Sequence, residues 1–561
     1  MSKSLGGAQA KEYYQQEYSN AEANYYSEGN AIHGEWAGLL AEEWGLDGQV
    51  EQEQFERLVE GQDPHTGEQL IKHVESRTYT NQHGEQVTNS EHRAGWDLTF
   101  SAPKSVSLAA LVGGDERLRE AHRKAVDAAL VDVEKYAQAR MGNNKPAVTT
   151  EKFAAAKFEH DTARPDREKS YAAPQLHTHV VVFNLTQAED GKWRSIQPLE
   201  LYRSQQYATA IYRTVLAEEA QRLGYEIEVD RKTGAPEIKG FSREYLEASS
   251  PRSREVRQEA AEMKARLEAE GASVKEGAGL LQAAATANRR SKKFDPVEMR
   301  ERHQQLDREH GDQARRQVAE ARQRGPIEQL KEDIASRARE AVSFARDHAM
   351  NREAVVDLRK FTVDSLRRNL GLTTYDEVRK EIAARRSRGE LIGILKENQP
   401  REVTTQRMLD LETENIRTVF EGKGTQAPIA APERLAPLIE GISVRQGIRL
   451  NADQRQAVRN LLLNEDRIVA LQGRAGTGKT TTMAVLREAA ERSGYAVKGI
   501  APTHRARKEL EKSGIRAQTL QSFIRQQQAE RPPDEKRLFI VDESSLASST
   551  AIDKLFNQVG P

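Results

Sequence analysis

The 561-residue sequence predicts an α+β region, then helical segments, then part of an α/β phosphate-loop domain. Three observations carry that prediction. Residues 1 to about 240 alternate short apolar strands with helices, which is an α+β pattern. Residues 250–325 are charged and poor in aromatics, as solvated helices are. Further on, the apolar stretch 467–472 runs into Gly473-Arg474-Ala475-Gly476-Thr477-Gly478-Lys479-Thr480, the eight-residue phosphate-loop pattern between a strand and a helix.

In the first region the most informative segment is Pro174-Gln175-Leu176-His177-Thr178-His179-Val180-Val181-Val182-Phe183-Asn184. Side chains alternate along a strand, so His177 and His179 face the same way. A third histidine, His160, lies a hairpin's length upstream. Three convergent imidazoles suffice to hold one divalent cation and leave positions open for substrate. A solvated strand face is the bland alternative.

The N-terminus carries Tyr13-Tyr14, Tyr18 and Tyr25-Tyr26, five of the fifteen tyrosines within fourteen positions. A phenol can attack phosphorus and become a phosphotyrosine. With a free pKa of ~10 it needs a base or a nearby cation at neutral pH. Tyr14, Tyr18 and Tyr25 also share one helix face, which packing alone would explain. Tyr13 is off that stripe.

Asp97, in Gly95-Trp96-Asp97-Leu98-Thr99-Phe100-Ser101-Ala102-Pro103-Lys104-Ser105, alternates with apolar neighbours and should project to the polar face of a sheet. There it could orient a ligand histidine or accept a tyrosine proton; a surface aspartate is the alternative. Ser101, Lys104 and Ser105 could bind phosphate or cap a helix.

Together these stretches, with His160-Asp161-Thr162-Ala163-Arg164, resemble conjugative relaxases of the MobF family, the TrwC/TraI class. The resemblance implies an HUH-type antiparallel sheet with helices. It implies metal ligands at His160, His177 and His179 for a divalent ion (Mg2+ or Mn2+), with Asp97 as their acidic partner. Tyr13 is implied as the first nucleophile with Tyr14 beside it, and Tyr25 and Tyr26 as a second pair. The implied reaction is transesterification on single-stranded DNA at a plasmid transfer origin, giving a 5′-phosphotyrosyl link. Implied partners are relaxosome accessory proteins and a secretion coupling protein. Two departures stand out: the gap between the tyrosine pairs is longer than in the best-known members, and the chain starts a few residues late.

Composition narrows the chemistry. With 85 Lys+Arg against 86 Asp+Glu there is no global pull towards nucleic acid, so binding must come from local basic stretches. No cysteine occurs, which excludes disulfides, thiolate metal sites and thiol catalysis. No apolar run is long enough for a membrane span and the N-terminus is no signal peptide, so the expected compartment is the cytoplasm.

The expected organisation is a nicking domain over 1–305 and a helical linker over 306–345. A small helical domain over 346–421, a linker over 422–445 and a partial RecD-like motor over 446–561 follow. Within 250–325, residues 255–268 and 296–322 read as solvated helices, and 301–324 serve equally well as a spacer.

In the phosphate loop, Gly473, Gly476 and Gly478 let backbone amides approach ATP phosphates. Lys479 supplies charge, and Thr480 can hold Mg2+. A second apolar strand ends at Asp542-Glu543, where Asp542 would help hold magnesium and Glu543 would position the attacking water. Upstream, 450–457 resembles the adenine-reading segment of superfamily-one helicases, with Gln454 as the reader. Segments 501–506 and 519–523 resemble the next helicase motifs, or ordinary strand ends and helix starts. The chain stops soon after the acidic pair, so the expectation is ATP binding without steady unwinding. Two rival readings are an ATP-binding helicase fragment and a non-catalytic DNA-binding protein.

Overall fold

An antiparallel sheet of five strands organises the first part of the molecule, and its most apolar strand lies at its centre. The strands are β1 (Leu5–Gly6), β2 (Gly34–Ala37), β3 (Arg93–Ser101), β4 (Ala155–Thr162) and β5 (Pro174–Phe183), in the order β1-β3-β5-β4-β2. This computed structural model describes residues 5–6, 34–71, 77–80, 86–89, 93–142, 145–166, 171–269, 277–287, 295–327, 331–394, 402–473, 477–526 and 536–560. Val180, Val181, Val182 and Phe183 of β5 are all fully buried, as a strand covered on both faces requires.

One face packs against α1 (Leu39–Glu43) and α2 (Gln52–Val59). Phe55 of α2 meets Phe158 and Phe183 edge-on, with ring centres 5.9 and 5.3 Å away. The opposite face is covered by α3 (Arg117–Glu134) and α4 (Gln205–Arg222). There Tyr212 meets Phe100 at 5.6 Å, and Lys157 pairs with Asp127 at 2.6 Å.

Residues 296–324 are neither a single helix nor a solvated spacer. They form α5 (Pro296–Glu309) and α6 (Gln313–Arg324), with Gly311 and a left-handed Asp312 between them. α6 buries Ala314, Val318 and Ala321. Its docking depends on two glycines. A Cβ on Gly113 would lie 2.7 Å from Val318 and 2.8 Å from the Ala314 carbonyl oxygen; one on Gly224 (φ +97°) would lie 2.2 Å from the Ala321 carbonyl oxygen. The high charge of α6 hid a narrow stripe of small residues.

The chain divides into two compact units, one of residues 1–345, 357–384 and 395–401, the other of 346–356, 385–394 and 402–561. The expected separate helical domain over 346–421 is therefore split. α7 (Leu358–Arg368) and the start of α8 (Tyr375–Ser387) belong to the first unit. Buried polar pairs hold them: Arg359 Nη2 donates to Glu200 Oε2 at 2.7 Å, and Tyr375 Oη donates to Asp132 Oδ2 at 2.6 Å. Partners so distant in sequence leave no periodic signal.

In the second unit the expected linker over 422–445 ends early. α9 (Pro432–Gln446) starts with proline in its first turn and puts Leu435, Ile439 and Ile442 into a core. That core includes Val458 and Leu462 of α10 (Ala452–Leu463) and Val485, Leu486 and Ala489 of α11 (Lys479–Arg492). Beside them β6 (Tyr495–Ala501), β7 (Ala517–Thr519) and β8 (Lys536–Val541) form a parallel sheet in the order β7-β6-β8. The strand expected over 467–472 is not formed. In the order β7-β6-β8 each outer strand has one neighbour, and 467–472 pairs with none of the three. Without a ladder partner an apolar stretch stays irregular; Val469 and Leu471 are exposed. No helix of the described residues is long and apolar enough to cross a membrane.

Two buried histidines make stability depend on acid. Burial pushes His122 and His303 down to about 4 from the ordinary value. Both are neutral in the fold, whereas the unfolded chain takes up protons near pH ~6.5. Their contribution is complete above that pH and is lost as pH falls from there towards 4. Each accounts for up to about 3 kcal/mol. Urea unfolding followed at stepped pH should show this decline, and His122→Gln should flatten part of it. A stability that stays level across this window would contradict the assignment.

Candidate functional site

The register of the sheet brings the predicted histidines onto one face. His160 on β4 stands directly opposite His177 on β5, and His179 follows two residues on. Thr99 and Ser101 of β3 pair with His179 and His177 from the other side, and Asp97 lies one step beyond on that face. The three ring centres are 5.3 Å (His160 to His177), 5.2 Å (His160 to His179) and 5.2 Å (His177 to His179) apart.

Imidazole nitrogens bind a zinc-like ion at about 2.0–2.1 Å, which places ring centres roughly 3.2 Å from it and, at tetrahedral angles, roughly 5.2 Å from one another. The gathered rings match that spacing. Among the described residues no three donors already close on a common point. The separation follows from the backbone register that sets His160 opposite His177.

Hydrogen bonds decide which nitrogen of each ring could serve a metal. His177 Nδ1 lies 2.8 Å from the Gln175 carbonyl oxygen, which only accepts, so Nδ1 carries the proton. His179 Nδ1 lies 2.8 Å from Asp97 Oδ2 and donates to it. Both rings thereby present an Nε2 lone pair, the tautomer a metal ligand needs. His160 and His177 are buried, and His179 keeps about a fifth of its side chain exposed, which leaves an approach for a substrate. Asp97→Asn should weaken Mn2+ binding about 10–100-fold, the usual effect of losing such a partner. Calorimetric titration of Mn2+ would measure it; unchanged affinity would contradict the role of Asp97.

The other predicted residues fare differently. Tyr13, Tyr14, Tyr18, Tyr25 and Tyr26 lie outside the described residues. Ser105 neither caps a helix nor faces open space: its backbone N–H and its hydroxyl both donate to Glu237 Oε2. Lys104 Nζ donates to the Pro174 carbonyl oxygen at 2.8 Å. Burial pushes the Lys104 ammonium down to about 7, against the pull of Glu237.

In the second unit, Gly478 (φ +76°) precedes α11, whose first turn holds Lys479 and Thr480. Lys479 Nζ donates to the Gly473 carbonyl oxygen at 2.7 Å. Gln454 serves two purposes: it completes a capping box with Asn451, and its Nε2 donates to the Thr477 carbonyl oxygen at 3.1 Å. Asp542 follows β8, and Glu543 adopts a left-handed backbone (φ +49°). The Thr503 hydroxyl lies 3.4 Å from Glu543 Oε2. Thr503 and Thr519 also cap the helices after β6 and β7. Gly476 lies outside the described residues.

A model of the TrwC relaxase family matches residues 7–312, more than half of the chain. The chain belongs to the TrwC relaxase family. An AAA domain model matches residues 449–561. The family match takes in β2 to β5, all three histidines, Asp97 and the tyrosine cluster. Among its relatives is the multifunctional conjugation protein TraI of Escherichia coli (strain K12), 40% identical over 253 residues, which are 43% of this chain and 13% of TraI. Another is the probable conjugal transfer protein TraA of Sinorhizobium fredii (strain NBRC 101917 / NGR234), 33% identical over 153 residues, 27% of this chain and 13% of TraA. The chain thus spans about an eighth of the length of these relatives. A copper-bound structure of the conjugative relaxase TrwC in complex with oriT DNA is 32% identical and covers 55% of this chain and 97% of that one, with a TM-score of 0.43.

Proposed function

We propose that the first unit is a DNA strand transferase that nicks single-stranded DNA at a plasmid transfer origin. The observation that carries this reading is the triad of imidazole rings, spaced for one divalent ion and backed by Asp97. His160, His177 and His179 would hold Mg2+ or Mn2+ through ring nitrogens. When bound, such an ion polarises the phosphate oxygens and orients the scissile group.

The chain's own residues do the rest. Tyr13 Oη attacks the scissile phosphorus, and the bond from phosphorus to the 3′ oxygen breaks. The phenolic proton leaves to a base, and the departing 3′ oxygen takes up a proton. The products are a 5′-phosphotyrosyl link and a free 3′-hydroxyl. Asp97 accepts from His179 Nδ1 and so holds that ring in its ligand tautomer. Tyr14 stands beside the first nucleophile, and Tyr25 or Tyr26 attacks in a second round after transfer. The phosphotyrosyl bond conserves the energy of the phosphodiester, so resealing needs no ATP.

In the second unit Gly473, Gly476, Gly478 and Lys479 would cradle the phosphates of ATP. Thr480 and Asp542 would hold Mg2+, and Glu543 would orient water. Gln454 would support the loop as well as face the base. Relaxosome accessory proteins and a secretion coupling protein are the expected partners, in the cytoplasm.

The test is a denaturation-resistant DNA adduct, sought with pooled transfer-origin oligonucleotides and Mn2+. The expected result is an adduct with the wild-type chain, none after chelation, and none with Tyr13→Phe. An unchanged adduct in Tyr13→Phe would move the nucleophile to another tyrosine. Tight, selective binding without cleavage would favour a DNA-binding protein instead.

A further inference from the structure

The residues between and beside the three histidines point to the rear of the sheet, where a single turn of α3 grips both strands. Thr178, between His177 and His179, projects there and is buried. Its Oγ1 lies 2.8 Å from His122 Nε2, and His122 Nδ1 lies 2.8 Å from Tyr212 Oη. A neutral imidazole has one N–H, so it donates to one hydroxyl and accepts from the other. Both hydroxyls are thereby held, and β5 is tied through His122 to α4.

The same turn holds β4. Glu159, next to His160 and opposite Thr178, accepts from Arg119 Nη1 at 2.8 Å and from Arg123 Nε at 2.8 Å. On the other side of His160, Asp161 accepts from Arg119 Nη2 at 3.4 Å and from the Thr162 hydroxyl at 2.7 Å. The register of β4 shifts at this point, between His160 and Thr162, and such irregularities re-aim side chains. Arg119, His122 and Arg123 are spaced i, i+3 and i+4, so they share one helix face.

We propose that Arg119, His122 and Arg123 are positioning residues: acting through Glu159, Asp161 and Thr178, they set the separation and tilt of the histidines on the opposite face. This rests on the reading of His160, His177 and His179 as metal ligands. The three helix residues touch neither ion nor substrate. They act through the backbone of two strands, each held immediately beside its ligand. Directional hydrogen bonds fix the orientation of the two strands beside their ligands more narrowly than non-directional apolar contacts do.

The experiment uses the full chain and Co2+ as a spectroscopic probe. Thr178→Val keeps the shape and removes the hydroxyl; Thr178→Ser keeps the hydroxyl. Arg123→Gln loosens β4 from the more exposed end of the network. The core variant Leu366→Ala, buried on α7 outside the sheet and the rear network, is the control for stability alone. Thr178→Val should weaken Co2+ binding about tenfold, a size typical of indirect ligand support, and change the visible absorption bands of the bound ion. Thr178→Ser should restore both, and Arg123→Gln should shift them in the same direction as Thr178→Val.

Wild-type affinity and spectrum in Thr178→Val would overturn the inference. So would an equal loss in Leu366→Ala at matched stability, since the network would then act only by holding the fold together. A wild-type chain that takes up no Co2+ would instead overturn the metal reading beneath it.

Discussion

His179→Ala should slow covalent adduct formation by about 10³-fold or more. A polarising ion contributes several kcal/mol to the transition state, and each 1.4 kcal/mol is about a factor of ten. His179 is the sharpest choice because two elements meet there: β5 supplies the ring and β3 supplies Asp97, joined at 2.8 Å. Removing the ring takes away one ligand and leaves a carboxylate facing the site without the imidazole it orients. Single-turnover assays with labelled oligonucleotide and Mn2+ would measure the rate, and binding of the same oligonucleotide without metal should change little. A rate within tenfold of wild type would mean that the histidines do not hold the ion that matters.

Arg359→Ala should destabilise the first unit by about 3–5 kcal/mol, the range for breaking a buried ion pair on one side. The Arg359 side chain is only 4% exposed and its Glu200 partner 5%. Its guanidinium also bonds the Glu200 carbonyl oxygen, the Ser204 hydroxyl and Asp357, and lies 4.4 Å over the Tyr136 ring. Alanine leaves Glu200 buried with Arg203 as its remaining cation. Arg359→Lys should lie between, because a lysine keeps the charge and loses the fork. Urea titration followed by tryptophan fluorescence tests this. A change below about 0.5 kcal/mol, ordinary for a surface position, would mean that 357–384 is only loosely attached.

What was legible in the sequence was whatever repeats locally. Alternation placed His177 and His179 on one face and Asp97 opposite Trp96 and Leu98, because a strand has a period of two. The glycine spacing of the phosphate loop marked the start of α11 in the same way. What was not legible depends on distant partners. Thr178 and His122 are 56 residues apart, His122 and Tyr212 are 90 apart, and Arg359 and Glu200 are 159 apart. No spacing rule connects them. The stretch 467–472 shows the converse: its apolar content suggested a strand, but a strand is made by its neighbours as much as by its own side chains. Residues 296–322 looked solvated because charge dominates their composition, while Ala314, Val318 and Ala321 decided where α6 docks. The tyrosine cluster, the local signal behind the proposed nucleophile, lies outside the described residues.

The claim on which the rest depends is that three rings on β4 and β5 share one ion. Anomalous scattering from crystals soaked in Mn2+ addresses it directly. The expected result is a single strong peak in the first unit, about 2 Å from nitrogens of His160, His177 and His179, and no peak there in the His177→Ala variant. A peak elsewhere with these rings bare, or one that survives His177→Ala unchanged, would contradict the account.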